Sequence, residues 1–204
     1  MPPDFSIEST YTGIIAGVDE AGRGPWAGPV VAAAAILDFA NIPTGIDDSK
    51  KLSAEKRETL FAIITQSCDY GVGIASVEEI DGLNILGATK LAMRRAVEGL
   101  KTTPAIALVD GNSSPGLACK TKLVIGGDAK SLSIAAASII AKVTRDRIMC
   151  ELACEHPYYG WESNAGYGTK KHQDGLAKFG VTPHHRKSFR PIRELIEARA
   201  LVAV

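Results

Sequence analysis

The stretch GVDEAGRGPWAGPV, Gly17 to Val30, constrains this chain more than any other. Ile14, Ile15, Ala16, Gly17 and Val18 form a short apolar run bounded by glycine, which predicts a buried strand ending at Asp19. Two adjacent carboxylates, Asp19 and Glu20, close that run, so the strand must end where solvent or a cation reaches them. Gly22, Gly24 and Gly28 let the backbone turn sharply and approach a ligand closely, Arg23 offers a planar fork for phosphate, and Pro25 and Pro29 stiffen the exit. Taken alone, the same residues also suit an ordinary solvated turn.

The pattern recurs downstream. Ala105 to Val109 reads as a buried strand closed by Asp110, Gly111 and Asn112. If the two strands are parallel neighbours, about 4.8 Å apart, Asp19 and Asp110 emerge side by side at the carboxyl edge of one sheet. Between them, Val30 to Leu37 predicts a second strand, antiparallel to the first because the connection is short. DDSKKLS, Asp47 to Ser53, leads into a helix capped by Ser53, so Lys50 and Lys51 sit just before a helix. A third strand is expected over Tyr70 to Ser76, helical material over Val77 to Leu100, and a short last strand over Lys122 to Ile125. GGDAKSLSIAAASIIAKVTRDRIM then places Asp128 at the mouth of a long helix whose alanines form a thin side. Lys142, Arg145 and Asp146 fit a charged outer face, although Lys142 and Arg145 equally suit phosphate.

From His156 the composition shifts toward aromatics, glycine and basic residues, followed by helical pieces at Asp174 to Phe179 and Ile192 to Val204. Residues 1–155 therefore read as a core and 156–204 as a helical lobe packed on it. Tyr158, Tyr159, Trp161 and Tyr167 beside Lys170, Lys171 and His172 fit either a stacking surface or a packed subdomain. His184 and His185, beside Arg186 and Lys187, are equally open in meaning.

A chain of 204 residues that is 46% hydrophobic can bury a sizeable core. Basic and acidic residues both number 23, so any attraction for a polyanion must be local. No apolar run reaches the length of a membrane span and the N-terminus has no leader pattern, so a cytoplasmic location without membrane association is expected. Cys68, Cys119, Cys150 and Cys154 form no CxxC pair and are expected to be reduced. Cys150 and Cys154 with His156 suggest a metal only weakly, because the four-ligand spacing of a structural zinc site is missing.

Asp19, Glu20, Asp110 and Asp128 make four carboxylates at element ends, a cluster that repels itself unless cations occupy it. Mg²⁺ or Mn²⁺ suits such oxygen donors. Two ions bridged by one aspartate can activate water and stabilise a departing oxygen in phosphodiester cleavage. Because neighbours along a flat strand face opposite ways, Asp19 and Glu20 share a site only if the strand has begun to turn.

These residues resemble ribonuclease HII, in six blocks that run from Gly17 to Phe189: DEAGRG at Asp19, DSKKLS at Asp48, VDG at Val109, GDAKSLSIAAASIIAKVTRD at Gly127, HPYYGWESNAGYGT at His156 and HRKSF at His185. Each block is weak, but all six in this order are highly specific. The resemblance implies an α/β, ribonuclease H-like mixed sheet flanked by helices, with a C-terminal helical lobe closing over a duplex. It implies that Asp19, Glu20, Asp110 and Asp128 are the metal-binding and catalytic carboxylates. Gly22, Arg23 and Gly24 match the turn that senses a ribose 2′-hydroxyl, Tyr167 the tyrosine that packs on the neighbouring deoxyribose, and Lys50 a lysine near the phosphates. Lys51, Lys142, Arg145, His172, His185 and Arg186 are further candidates for substrate contact. The implied reaction cleaves the RNA strand of RNA–DNA hybrids, and cuts 5′ of a single ribonucleotide in duplex DNA, leaving 3′-hydroxyl and 5′-phosphate ends.

Two features depart from the pattern. His184 doubles the histidine before Arg186, with His185 taken as the match, and the C-terminal ARALVAV shows no clear sliding-clamp docking peptide. A monomer is expected. Two other readings compete. Sugar-kinase and actin-like ATPases also follow a first strand with an aspartate and glycines, but they need two such domains. A silent module binding hybrid duplex through Arg23, Lys50 and the aromatic lobe would be marked by loss of an acidic residue, and all four are present.

Overall fold

The computed structural model describes residues 2–202. Five strands, β1 (Ile15–Ala21), β2 (Val30–Ile36), β3 (Asp69–Ala75), β4 (Ile106–Asp110) and β5 (Lys120–Val124), form one sheet in the order β3-β2-β1-β4-β5. The short glycine turn makes β2 antiparallel to β1, and β3 is antiparallel to β2. β4 and β5 run parallel to β1, reached through α-helical and loop crossovers. Expected and observed strands agree closely. β1 continues through Ala21 rather than ending at Asp19, and β5 covers Lys120–Val124 rather than Lys122 to Ile125.

Helices cover both faces. On β2, successive small residues alternate: Ala33 and Ala35 pack with α1 (Ala54–Ser67) and α3 (Leu132–Glu155), while Ala32 and Ala34 pack with α2 (Val77–Glu98). α1 starts where the sequence indicates, with Ser53 Oγ accepting from Lys56 N. α2 opens on a capping box formed by Ser76 and Glu79 and breaks at Asn84, whose left-handed backbone (φ 59°) lets its side chain cap the next turn at Leu86 N and Gly87 N. α3 lies tight on β1 because Gly17 has no Cβ to collide with the Ser133 backbone. Ile134, Ile139 and Ile140 on α3 are fully buried, each contributing about 1.5–3 kcal/mol.

The segment after α3 holds the single-turn α4 (Trp161–Asn164), α5 (Lys170–Phe179) and α6 (Arg190–Val202). α5 begins four residues before the expected Asp174, and the last two residues of the expected final helix, 203–204, lie outside the described residues. A separate apolar cluster of Tyr159, Trp161, Leu176 and Ile192 seats this segment against Ala27, Met149 and Ala153. That burial corrects the idea of an aromatic stacking surface. Tyr159 and Trp161 are core, Tyr158 stacks on Phe179 at 3.9 Å, and Tyr167 stays half exposed. No helix among the described residues is long and apolar enough to cross a membrane.

Candidate active site

The parallel pairing of β1 with β4 runs through Val18 opposite Val109, so the next residues, Asp19 and Asp110, stand at the same end of the sheet. Beyond that point β4 stops while β1 remains paired to β2 through Ala21. One side of β1 is thereby open, and Glu20 reaches the same cavity as Asp19 and Asp110. Asp128 is added from a 3-10 turn, Gly127–Ala129, just before α3. Gly127 N donates to Asp110 Oδ1 at 2.7 Å, tying this turn to the end of β4.

Electrostatics here are unfavourable in isolation. Burial, with the charges of Glu20 and Asp110, raises the Asp19 carboxyl well above the usual range. Burial also raises Glu20 against the pull of Arg23, and raises Asp110 against the Gly127 amide. No three of the four carboxylates bring oxygens within 4.8 Å of one another. The donors are all hard oxygens, poised at one edge and short of positive charge. Lys50 is the nearest compensation, its Nζ donating to Asp128 Oδ2 at 3.0 Å. Burial lowers the Lys50 ammonium, but Asp128 and Asp19 outweigh it and the net shift is upward. Such a set fits Mg²⁺ or Mn²⁺ and is unsuited to softer ions.

Asp19, Glu20 and Asp110 line a cavity of about 310 Å³ together with Gly22, Arg23, Gly24, Ser49, Lys50, Ser138, Lys142, Arg145 and Tyr167, and Asp128 reaches it through its ion pair with Lys50. Arg23 is half exposed and only loosely held, by a 3.4 Å contact with Glu20. A Cβ on Gly24 would lie 3.2 Å from the Tyr167 ring, so the glycine turn and the tyrosine form one wall. Lys142 pairs with Asp146 at 2.6 Å and borders a second groove of about 610 Å³ beside Arg57, Arg147 and Glu162. Lys51 pairs with Asp47 at 3.3 Å and is not part of the cavity wall.

Four expected substrate contacts are buried, although Arg145 still lines the cavity. Arg145 is buried, giving Nε to Pro29 O, Nη1 to Ala165 O and Nη2 to Ala27 O. Arg186 is wholly buried and donates to the carbonyls of Gly22, Arg23, Pro25, Gly28 and Pro29. Burial lowers these guanidinium groups to about 10 and about 9 respectively. Gly22, at φ 96°, lacks the Cβ that would strike the Arg145 side chain. His172 and His185 are buried against each other with Nε2 atoms 3.0 Å apart. These arginines and histidines hold the glycine turn and Tyr167 from behind, and their polar atoms are spent on the protein.

The sequence reading missed three supports. Arg57 Nη1 donates to Ser49 O and Leu52 O, bracing the loop that carries Lys50. Glu8, fully buried, accepts through Oε1 from Ser131 Oγ, Ser133 N and Ser133 Oγ, fixing the start of α3 next to Asp128. Ser138 lines the cavity from α3. Only Ser131, as the N-cap of α3, carried any sequence signal.

The mixed sheet, with its strand order and helices on both faces, defines a ribonuclease H-like protein. The ribonuclease HII family profile matches residues 16–192. Ribonuclease HII of Jannaschia sp. (strain CCS1) is 57% identical over 197 residues, covering 96% of this chain and 99% of that one. The enzyme of the same name from Paracoccus denitrificans (strain Pd 1222) is 55% identical over 199 residues, covering 95% of each. Among solved structures, ribonuclease H2 from Pyrococcus horikoshii OT3 superposes with a TM-score of 0.76 at 30% identity, covering 91% of this chain and 98% of that one. This chain belongs to the ribonuclease HII family and is an endoribonuclease.

Proposed function

We propose that the protein hydrolyses the RNA strand of RNA–DNA hybrids and cuts on the 5′ side of a single ribonucleotide within duplex DNA. The observation that carries this reading is the shared wall of Gly24 and Tyr167 beside Asp19, Glu20 and Asp110. A backbone turn without side chains meets a ribose 2′-hydroxyl closely, and the tyrosine ring beside it suits a sugar that lacks one. Arg23 and Lys50, both exposed, place positive charge at the cavity rim, where the scissile and adjacent phosphates would lie.

Asp19, Glu20, Asp110 and Asp128 would hold two divalent ions, Mg²⁺ or Mn²⁺, which supply activated water and charge stabilisation for the departing 3′-oxygen. Cleavage breaks the bond from phosphorus to O3′, leaving 3′-hydroxyl and 5′-phosphate ends. The chain's own part is to hold the carboxylates at one sheet edge and to fix the turn through Arg186. Residues 1–155 act as the catalytic core and 156–204 as the substrate lobe, in one monomeric unit. The role in the cell is removal of ribonucleotides from DNA and processing of RNA primers, in the cytoplasm.

An end-labelled DNA duplex containing one ribonucleotide tests this reading, with Mg²⁺, Mn²⁺ or chelator, and with an all-DNA duplex as control. Metal-dependent cutting 5′ of the ribonucleotide, absent from the all-DNA duplex, is expected. Binding without cutting under every metal would instead establish a silent duplex-binding module.

A further inference from the structure

The cysteines near the end of α3 point to a metal only weakly, and the structure gathers other residues there. Cys150 and Cys154 are exposed and free. His156 instead meets His184, which the chain brings back after α5, and Glu155 joins them. One carboxylate oxygen and one ring nitrogen from each histidine lie within 4.8 Å of one another.

The surroundings suit ligation. The two imidazoles stand edge to face, 5.2 Å between centroids, and both rest on the buried indole of Trp161, at 5.7 and 6.2 Å. That apolar floor limits how far either ring can move and keeps water from one side. Ligation takes each ring in its neutral form, with one ring nitrogen free to bind the ion. His172 and His185 close by have their ring nitrogens committed to hydrogen bonds, whereas the hydrogen bonds of the described residues include none to the ring nitrogens of His156 or His184. Two imidazoles with a carboxylate favour a borderline ion such as Zn²⁺ over Mg²⁺, in contrast to the all-oxygen set at the sheet edge.

We propose that Glu155, His156 and His184 form a second, non-catalytic site for a transition-metal dication, Zn²⁺ being the probe of choice, which pins the end of α3 to the segment before α6. His184 precedes His185 and Arg186, and its carbonyl accepts from Gly28 N at 2.9 Å. An ion there clamps the support of the glycine turn from outside the active site.

The test titrates Zn²⁺ into the full chain in millimolar Mg²⁺, which occupies the carboxylates. Binding is read by competition with a chromophoric chelator and by side-chain ¹⁵N resonances of the histidines. One Zn²⁺ should bind, shifting His156 and His184 but not His172 or His185. His156→Ala, His184→Ala and Glu155→Gln should each weaken it at least about tenfold, equivalent to about 1.4 kcal/mol. Glu155 is exposed at a helix end, so its variant stays folded and keeps the test decisive if a histidine variant does not. Unchanged affinity in all three variants, or no Zn²⁺-induced shift of His156 and His184, would overturn the proposal.

Discussion

Arg145 and Arg186 converge on one atom: Arg145 Nε and Arg186 Nη2 both donate to the carbonyl oxygen of Pro29, at 2.9 and 3.1 Å. The two guanidinium groups come from α3 and from the segment before α6, and between them they satisfy carbonyls from Gly22 to Pro29 that no strand pairs. The turn is thus shaped by buried cations rather than by its own backbone. Like charges so close are costly, and it is the ring of carbonyl dipoles that makes them tolerable.

Arg186→Lys tests that arrangement. An ammonium group keeps the charge but cannot reach five carbonyls, and each buried acceptor left unpaired costs about 1–3 kcal/mol. We expect a loss of about 3 kcal/mol or more, a fall in melting temperature of roughly 6–12 °C for a chain of this size. Cleavage should fall with unchanged metal dependence. A melting temperature within a degree or two of the parent would refute the carbonyl-ring account.

Asp19→Asn should stabilise the metal-free protein while abolishing cleavage. A carboxyl whose folded pKa is raised favours folding only while protonated; that contribution is lost as pH rises through the folded value, and above that value the full cost of the buried charge remains. The amide removes it. Thermal melting in chelator should show a rise of about 2–4 °C for each kcal/mol relieved. A lower melting temperature would mean that Asp19 is satisfied by contacts other than a cation.

Asp110→Asn separates chemistry from binding. Asp110 shares the cavity with Arg23 and Tyr167 but is hydrogen-bonded to the Gly127 amide and to neither of them, so duplex affinity should change little while cleavage falls by about a thousandfold or more, near 4 kcal/mol in barrier. Gel shift and single-turnover cleavage on the same duplex give both quantities. Parallel loss of binding would show that the carboxylates also position the strand.

Tyr167→Ala addresses junction recognition. The ring is half exposed and its contact is with Gly24, so its removal leaves the core intact. Loss of ring contact with a sugar should cost about 1–2 kcal/mol, roughly five- to thirtyfold, on a single embedded ribonucleotide. Long hybrids, which offer other registers, should suffer less. Equal effects on both substrates would sink the assignment.

Much of this was legible because the strands carry their own punctuation. Asp19 and Asp110 each follow an uninterrupted apolar run, and two such runs in parallel register force their ends together. Asp128 was legible from its place at the mouth of a long helix lined by small residues. The burial of Arg145, Arg186, His172 and His185 was not legible for a common reason: sequence patterns treat cations and imidazoles as surface groups, and only the fold brings the carbonyls and ring partners that let them be buried. Glu8 was invisible because its partners, Ser131 and Ser133, lie far along the chain.

The buried histidine pair makes acid stability a specific expectation. His172 Nδ1 faces the carbonyl of Tyr167 at 2.9 Å and must carry its proton there, which leaves Nε2 to accept from Trp161 Nε1 at 3.2 Å and from His185 Nε2 at 3.0 Å. His185 is then protonated on Nε2, and its Nδ1 accepts from Thr182 N and Oγ1. Every site is filled with both rings neutral, and a further proton on either has nowhere to point. Burial, with His172 alongside, pushes His185 down to about 3. For a histidine depressed in the fold, the unfolded chain binds protons more readily, so stability is complete above about 6.5 and declines by up to about 1.4 kcal/mol per pH unit below it. Between pH 7 and pH 5 the loss should reach about 2 kcal/mol, above the range in which ordinary carboxylates titrate. Urea denaturation at the two values measures it, and His185→Asn should reduce that pH difference even though it lowers stability at pH 7. An undiminished difference in the variant would assign the acid sensitivity to other groups and leave Tyr167 without this proton-controlled anchor.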